Sequence, residues 1–345
     1  MNLYSNKLFL AVLTVTLLLF AVAANVNAGA AASQQKPAVQ EPEPEYTEEE
    51  YDAYDKAVQE PDLDKRAAEL NAFVAKYPKS KLMTYIVTAY QTLMYDYSKN
   101  QKYDKLEPAA EQWLRTNPGD LQTMAYIAEA AQKLGHDQKY AEYAELIYAQ
   151  KSSGNLAYYI AQAYKKIANN AKYTEWVLKV FTYPEFAGEY GLRYEFVQKY
   201  VDQKDYPKAA EYAQLTLKSV AAAKKPDATA QAEWDKQIVS VKRACQFIIG
   251  MNEYQQDKFA EAIASFQTAL RAEKFAEGFF YIGLSEWKLN KIDEAMLAFA
   301  RSEKMGGPLA SQAKEHLESL YKSLHNNMTI GIEKVYKKAA EEPYP

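Results

Sequence analysis

Residues 243–275 read RACQFIIGMNEYQQDKFAEAIASFQTALRAEKF, and residues 276–304 read AEGFFYIGLSEWKLNKIDEAMLAFARSEK. Shifted by 33 residues, the second segment lies over the first in one register. Ile282-Gly283 falls on Ile249-Gly250, Ile292 on Phe259, Glu294 on Glu261, Ala295 on Ala262 and Phe299 on Phe266. A single shared dipeptide carries little weight; matches at this many positions mark a repeated unit of supersecondary structure.

Each unit has the periodicity of a helix hairpin. Phe259, Ala262, Ile263, Phe266 and Leu270 make one apolar stripe at helical spacing. Asp257-Lys258 and Asn290-Lys291 supply the polar turns. Gly250 and Gly283 cost about 1 kcal/mol each inside a helix relative to alanine, which is reasonable where another helix crosses closely. Ala262 and Ala295 are expected to form the other side of that crossing, with Phe266 and Phe299 filling the space one turn further on.

These residues resemble the tetratricopeptide repeat pattern, Trp-x-x-Leu-Gly-x-x-Tyr followed by Ala-x-x-x-Phe and Pro. The match is carried by Ile249-Gly250 and Ile282-Gly283, then by Ala262-x-x-x-Phe266 and Ala295-x-x-x-Phe299. The Trp sites are Gln246 and Phe279. The Tyr sites are Glu253 and Glu286, with an aromatic one residue later at Tyr254 and Trp287. The period is 33 rather than 34, and the closing proline is missing between the units. The resemblance implies an all-α solenoid, a right-handed superhelix of antiparallel helix pairs. Phe73 to Ser80 is similar to repeat ends of exported bacterial members.

Composition agrees with a thin helical array. Glycine is sparse at 12 residues, which opposes a many-turned β fold, and the 29 tyrosines suit helices that pack a ring while the hydroxyl reaches water. The single cysteine, Cys245, excludes an internal disulfide and a thiolate metal site. Its neighbours Phe247 and Ile248 mark it as a small buried hydrophobe rather than a reactive thiol.

From the start, Lys7, the uncharged apolar run from Leu8 to Ala24 and the small residues Val26-Asn27-Ala28 give residues 1–28 the form of an export signal. A cleaved signal is the first reading and an uncleaved membrane anchor through residues 8–24 the second; both put the repeats outside the cytoplasm, in the periplasm or beyond. With no cysteine nearby, a bacterial lipid-modified N-terminus is excluded. Residues 29–46 form a Pro/Glu-rich disordered linker, its alternate prolines Pro42 and Pro44 blocking helix. Residues 29–60 carry nine acidic side chains against Lys36 and Lys56, so the chain's net charge of −4 is concentrated there and the array beyond is close to neutral. The segment reads as a solvated spacer, or as an acidic arm for a basic partner or cations.

Thr47-Glu48-Glu49-Glu50 is a capping box that opens the helical region. Residues 47–242 read as degenerate repeats, 243–304 as the two clear units, and 305–345 as a capping helix and tail. Within the degenerate part, Leu63, Ala67, Leu70 and Val74 share a face. Pro78 and Pro118 break the chain two residues before Ser80 and Asp120, which can cap the next helices. Asn169-Asn170 turns one hairpin, and Asp205-Tyr206-Pro207 opens a second helix whose partner spans Glu189 to Asp202. From Asp227, a cap candidate, to about Gln255 one long helix or two stacked end to end are expected. Leu317, Leu320, Tyr321 and Leu324 make the apolar face of a final helix that covers the open end of the array.

No constellation for chemistry is present. His316 and His325 are out of phase on a helix, and no metalloprotease, phosphate-loop, nucleophile-elbow or calcium-loop spacing occurs. Glu253 and Glu286, at matching sites of neighbouring units, read as exposed or paired carboxylates rather than an acid pair. Without a basic stripe, nucleic-acid binding is disfavoured. No cofactor or metal is expected.

In the resembled family the first helix of each pair lines the concave face. That carries the groove onto Phe247, Met251 and Tyr254, onto Phe280, Leu284 and Trp287, and onto Tyr194, with Gln198 and Val201 beside it. The family's carboxylate clamp of Lys, Asn and Arg is absent at these sites. An aromatic groove suits an amphipathic helix or extended peptide, or the rings simply pack against neighbouring helices. The sequence therefore points to a non-enzymatic exported scaffold that binds a protein or peptide. A self-associating component of an envelope or secretion assembly, and a glycan-binding module, are the alternatives.

Overall fold

A computed structural model describes residues 45–344 of the chain. The export signal, the 8–24 anchor and almost all of the linker lie outside the described residues. Residues from Glu48 onward form one unit. Among the described residues there are sixteen α-helices and no strand, and no helix is long and apolar enough to cross a membrane.

The helices run as antiparallel pairs: α1 (Glu48–Gln59) with α2 (Leu63–Lys76), α3 (Met83–Lys99) with α4 (Tyr103–Thr116), and α5 (Leu121–Leu134) with α6 (Asp137–Gln150). Next come α7 (Gly154–Lys166) with α8 (Asn170–Val180), α9 (Tyr190–Asp202) with α10 (Tyr206–Ala222), α11 (Gln231–Gln255) with α12 (Phe259–Ala272), and α13 (Ala276–Lys288) with α14 (Ile292–Met305). Two more helices, α15 (Ala310–Leu324) and α16 (Glu333–Glu341), both pack on α14. Consecutive helices touch nearly throughout, which is the layout of a tetratricopeptide-type α-solenoid.

One turn recurs in six of the pairs. Gln101, Gly135, Ala168, Lys204, Asp257 and Asn290 all sit in the left-handed region, with φ between 56° and 77°. The residue after each donates its amide to the carbonyl five positions back: Lys102 to Tyr97, His136 to Ala131, Asn169 to Tyr164, Asp205 to Tyr200, Lys258 to Glu253 and Lys291 to Glu286, at 2.8–3.0 Å. This Schellman closure satisfies carbonyls left over at the end of the first helix. Only Gly135 reaches that conformation free of Cβ strain. The turns step along the chain by 34, 33, 36, 53 and 33 residues, so the region between α3 and α10 is a regular array whose register its side chains conceal.

The crossing inside each pair shows what conceals it. A Cβ placed on Gly250 would lie 2.6 Å from the Phe266 ring, and one on Gly283 would lie 2.8 Å from Phe299. The phenylalanine itself, rather than Ala262 or Ala295, therefore occupies the space left by the glycine. At the same two positions counted from the turn, earlier pairs carry Met94 with Ala110, Ala128 with Ala144, Ala161 with Val177, and Val197 with Ala213, all buried. Bulk sits on one side of the crossing or the other, or on neither where Ala128 pairs with Ala144, while both positions stay buried.

Departures from regularity have local causes. The step of 36 residues accommodates a 3-10 turn at Pro184–Phe186 between α8 and α9. Arg193, only 8 % exposed, pins it by donating to the carbonyls of Phe186 (3.0 Å) and Glu189 (2.7 Å), with its guanidinium over the Phe181 ring. The step of 53 reflects α11, a single helix of 25 residues, about 37 Å long. It begins after Ala230 rather than at Asp227, and Trp234 of its extension packs edge-on to Tyr190. Asp62, Asp120 and Asp205 cap helices through their side chains. Ser80 instead accepts from Leu82 in the turn before α3. At the far end Leu317, Leu320 and Tyr321 are buried as expected, whereas Leu324 is half exposed. The unanticipated α16 adds Val335, Tyr336 and Ala339 to the cover.

Because Ala168 and Lys204 hold φ near 57°, Ala168→Gly and Lys204→Gly should each stabilise the fold by about 1 kcal/mol, read as a rise in thermal midpoint. Gly283→Ala should cost about 1–3 kcal/mol, and most of that loss should be recovered in the double variant with Phe299→Leu. A double-mutant cycle giving additive losses would refute the shared-volume crossing.

Candidate ligand-binding wall

The first helices of successive pairs stand side by side and exchange side-chain contacts. Ser98 donates to Glu129 (2.9 Å), Lys165 to Glu195 (2.8 Å), and the Tyr281 ring meets both Phe247 and Tyr254 at 5.7 Å. Second helices are joined by ion pairs at equivalent sites, Lys139 with Glu111 (2.6 Å) and Lys172 with Glu145 (3.1 Å). Exposed pairs of this kind add little each, but their repetition keeps neighbouring units in register.

Counting back from each turn carries the three groove positions of the resembled family onto every unit, a candidate wall. The middle row reads Tyr95, Glu129, Gln162, Gln198, Met251 and Leu284. The wall therefore changes character along its length: hydroxyl, carboxylate and amide over four units, then apolar over the last two. Most of the sequence-derived groove lies in that apolar end, with Tyr194 in the unit before it, and the structure distributes its members unevenly. Met251 (6 % exposed) and Phe280 (4 %) are buried, so neither presents a surface to a ligand. Phe280 lies within 5.8 Å of the rings of Tyr281, Phe299 and His316. The cause is α15, which follows α14 as the first helix of a further pair would and whose His316 stacks on Phe299. Phe247 is half-buried among Phe266, Phe275 and Tyr281, and Tyr254 is held edge-on between Phe259 and Tyr281. Leu284 and Tyr194 are half-buried against clusters that join their own pair to the next helix, α15 for Leu284 and α11 for Tyr194. Trp287 is the large accessible member, 39 % exposed with one side against His316.

Of the polar stretch of the wall, sequence reasoning reached only Gln198 and missed the rest. Tyr95 is 47 % exposed and Gln132, Lys165 and Gln198 are exposed beside it. The spacing of the six turns would have revealed these positions, but glycine marks only one of those turns.

The remaining titratable groups are structural. The Cys245 thiol is fully buried, which pushes it up to about 12. Burial alone would raise the Glu107 carboxyl, but hydrogen bonds from Lys139 and His136 outweigh that and hold it below the usual range. His136, His316 and His325 lie in separate packing contexts, and among the described residues no group of three or more His, Cys, Asp or Glu could hold a metal. Glu253 accepts from Ser265 at 2.6 Å. Glu286, its counterpart, is 8 % exposed and its Oε2 has no hydrogen bond; Lys291 Nζ approaches to 3.4 Å without bonding geometry. The residue equivalent to Ser265 is Ala298, so the donor is missing. Burial pushes the Glu286 carboxyl up, against the pull of Lys291.

No family model matches the chain, and no curated protein does. Among solved structures, the C-terminal part of a TPR repeat-containing protein from Cytophaga hutchinsonii is similar at 12% identity and TM-score 0.35, covering 72% of this chain and 92% of that one. A tetratricopeptide repeat protein from Parabacteroides merdae is similar at 16% identity and TM-score 0.30, with 79% and 96% covered. Yeast Tom70 is similar at 12% identity and TM-score 0.37, with 85% and 61% covered.

Ala298→Ser should supply the donor Glu286 lacks and stabilise the fold by about 1 kcal/mol. Since the folded carboxyl is raised, its contribution to stability falls as pH climbs from the ordinary glutamate value, about 4.3, through the raised one. Glu286→Gln should therefore gain on wild type at pH 7 and match it near pH 4 in denaturant titrations. The opposite ordering would show that the carboxylate is satisfied.

Proposed function

We propose that this chain is a non-enzymatic scaffold that binds a protein or peptide along its first-helix wall, concave in the family it resembles. The observation that carries the reading is the wall's division: exposed Tyr95, Gln132, Lys165 and Gln198 over the earlier units, then Tyr254 and exposed Trp287 framed by buried aromatics. Rigid, half-buried aromatics beside adaptable polar groups are the usual composition of a peptide-binding face. The ligand would place an apolar anchor against Tyr254 and Trp287 and run polar side chains or backbone past the amides and hydroxyls of the earlier units. Cys245 is buried and each histidine is engaged in packing or hydrogen bonding, which supports binding over catalysis.

The proposal includes export. Lys7, the apolar run from Leu8 to Ala24 and Val26-Asn27-Ala28 support passage out of the cytoplasm, with the periplasm or the medium as destination, or attachment to the membrane from outside. Self-association and glycan binding remain outcomes that the same experiment separates.

A photo-crosslinking residue placed at Gln198 or Trp287 of the full chain, and at exposed Glu142 of α6 as control, should trap a protein from the wall positions only. Trp287→Ala should weaken binding of the trapped partner about tenfold with the thermal midpoint unchanged. Trapping of the chain's own copy would favour the assembly reading. Oligosaccharide binding in calorimetry with no protein trapped would favour the glycan reading. Equal trapping from all three positions would remove the wall from consideration.

A further inference from the structure

The C-terminal tail occupies a slot between α12 and α14, backed by α13. Arg301 of α14 donates to the carbonyls of Ala339 (3.1 Å) and Glu342 (3.3 Å), holding the exit from α16, and its guanidinium lies 4.8 Å from the centre of the Tyr344 ring. The chain leaves α16 extended at Glu342. Tyr344 then packs edge-on against Phe279 at 5.0 Å, over the cluster that includes Leu270, Ile282 and Ala298. The slot thus holds an aromatic side chain on an extended Glu-Pro-Tyr segment, with a cation over the ring.

The same slot exists one unit earlier, and there it is open. The turn register places Leu217 at the position of Leu270, Gln246 at that of Phe279 and Thr268 at that of Arg301. These three residues, with Lys242 and Ala272, line a cavity of about 310 Å³ between α10 and α12, backed by α11, at the small end of ligand sites. Its floor is aliphatic and its rim carries the exposed ammonium of Lys242, so a cation is again present, displaced from the second helix to the first.

We propose that the slot between α10 and α12 is a binding site for an aromatic side chain carried on an extended acidic segment of a partner protein, the chemistry that the chain's own tail presents to the equivalent slot. The ring enters over Leu217 and an acidic residue beside it pairs with Lys242. The site lies between second helices, apart from the first-helix wall, so it stands or falls independently of that wall.

The test is fluorescence anisotropy of a labelled Ala-Ala-Glu-Glu-Pro-Tyr-Pro peptide, the sequence of residues 339–345, titrated with the full chain. Saturable binding is expected, about tenfold weaker for the peptide with its tyrosine changed to alanine, and likewise for the chain carrying Lys242→Glu or the slot-filling Thr268→Phe. Lys242 is exposed, so the first variant should keep the wild-type melting profile and separates a lost site from a lost fold. Arg301→Gln, which loosens the resident tail, should leave this binding intact. Absence of binding overturns the proposal. So does binding that survives Lys242→Glu and Thr268→Phe but fails with Arg301→Gln, which would mean that the peptide merely exchanges with the tail.

Discussion

The array depends on one backbone arrangement: a left-handed residue that reverses the chain, followed by an amide that reaches back five residues to close the first helix. Six hairpins share it. With the reversal fixed, the positions seven residues before and nine after the turn always meet at the crossing, whatever occupies them. The fold then asks of the sequence only that both positions be apolar and buried, which Gly250 with Phe266, Met94 with Ala110 and the much smaller Ala128 with Ala144 all satisfy. Five of the six turns accept strain at a non-glycine residue, and Asp257 and Asn290 accept it most easily because short polar side chains tolerate the left-handed region.

This explains which parts of the chain were legible. The last two pairs announce themselves because bulk sits wholly on one side of each crossing, and a glycine in a helix is conspicuous. The hairpin around Asn169, the helix ending at Asp202 and the cap at Asp205 were readable from local turn chemistry, which acts without tertiary help. The middle pairs resisted because Ala128 with Ala144, or Val197 with Ala213, look like any helix interior. The start of α11 was misplaced for a related reason: Asp227 can cap, but the chain stays irregular to Ala230, where no side chain caps at all. Nothing local marked α16, whose apolar face has a purpose only once α14 and α15 are in place.

The last residue before the turn whose carbonyl is recaptured shows how the repeats differ in side chain while sharing one shape. Tyr97, Tyr164 and Tyr200 hold that place in earlier units, and Tyr97 carries its hydroxyl to the Leu63 carbonyl of the preceding pair. Tyrosine is the residue the family pattern asks for here, so the units that look most regular in sequence, with Glu253 and Glu286, are the irregular ones at this site. Glu253 has a partner in Ser265, whereas Glu286 faces Ala298 at that place and has only the Lys291 ammonium at 3.4 Å. A buried carboxylate oxygen without a donor costs stability.

The candidate groove was legible as positions and not as surface. Periodicity placed Phe280 and Trp287, seven residues or about two turns apart, on the same helix face, but exposure is decided by what stacks next. Because α15 follows α14 as another first helix would, Phe280 became core and Trp287 became its rim. The units from α9 to α14 thus carry two chemically separate features, a row of first-helix side chains and the slots between α10, α12 and α14. The helix period keeps them apart, since residues that line one cannot turn to the other. Substitution on one face leaves the other's geometry in place, and the polar-to-apolar change along the wall can coexist with the two slots behind its last units.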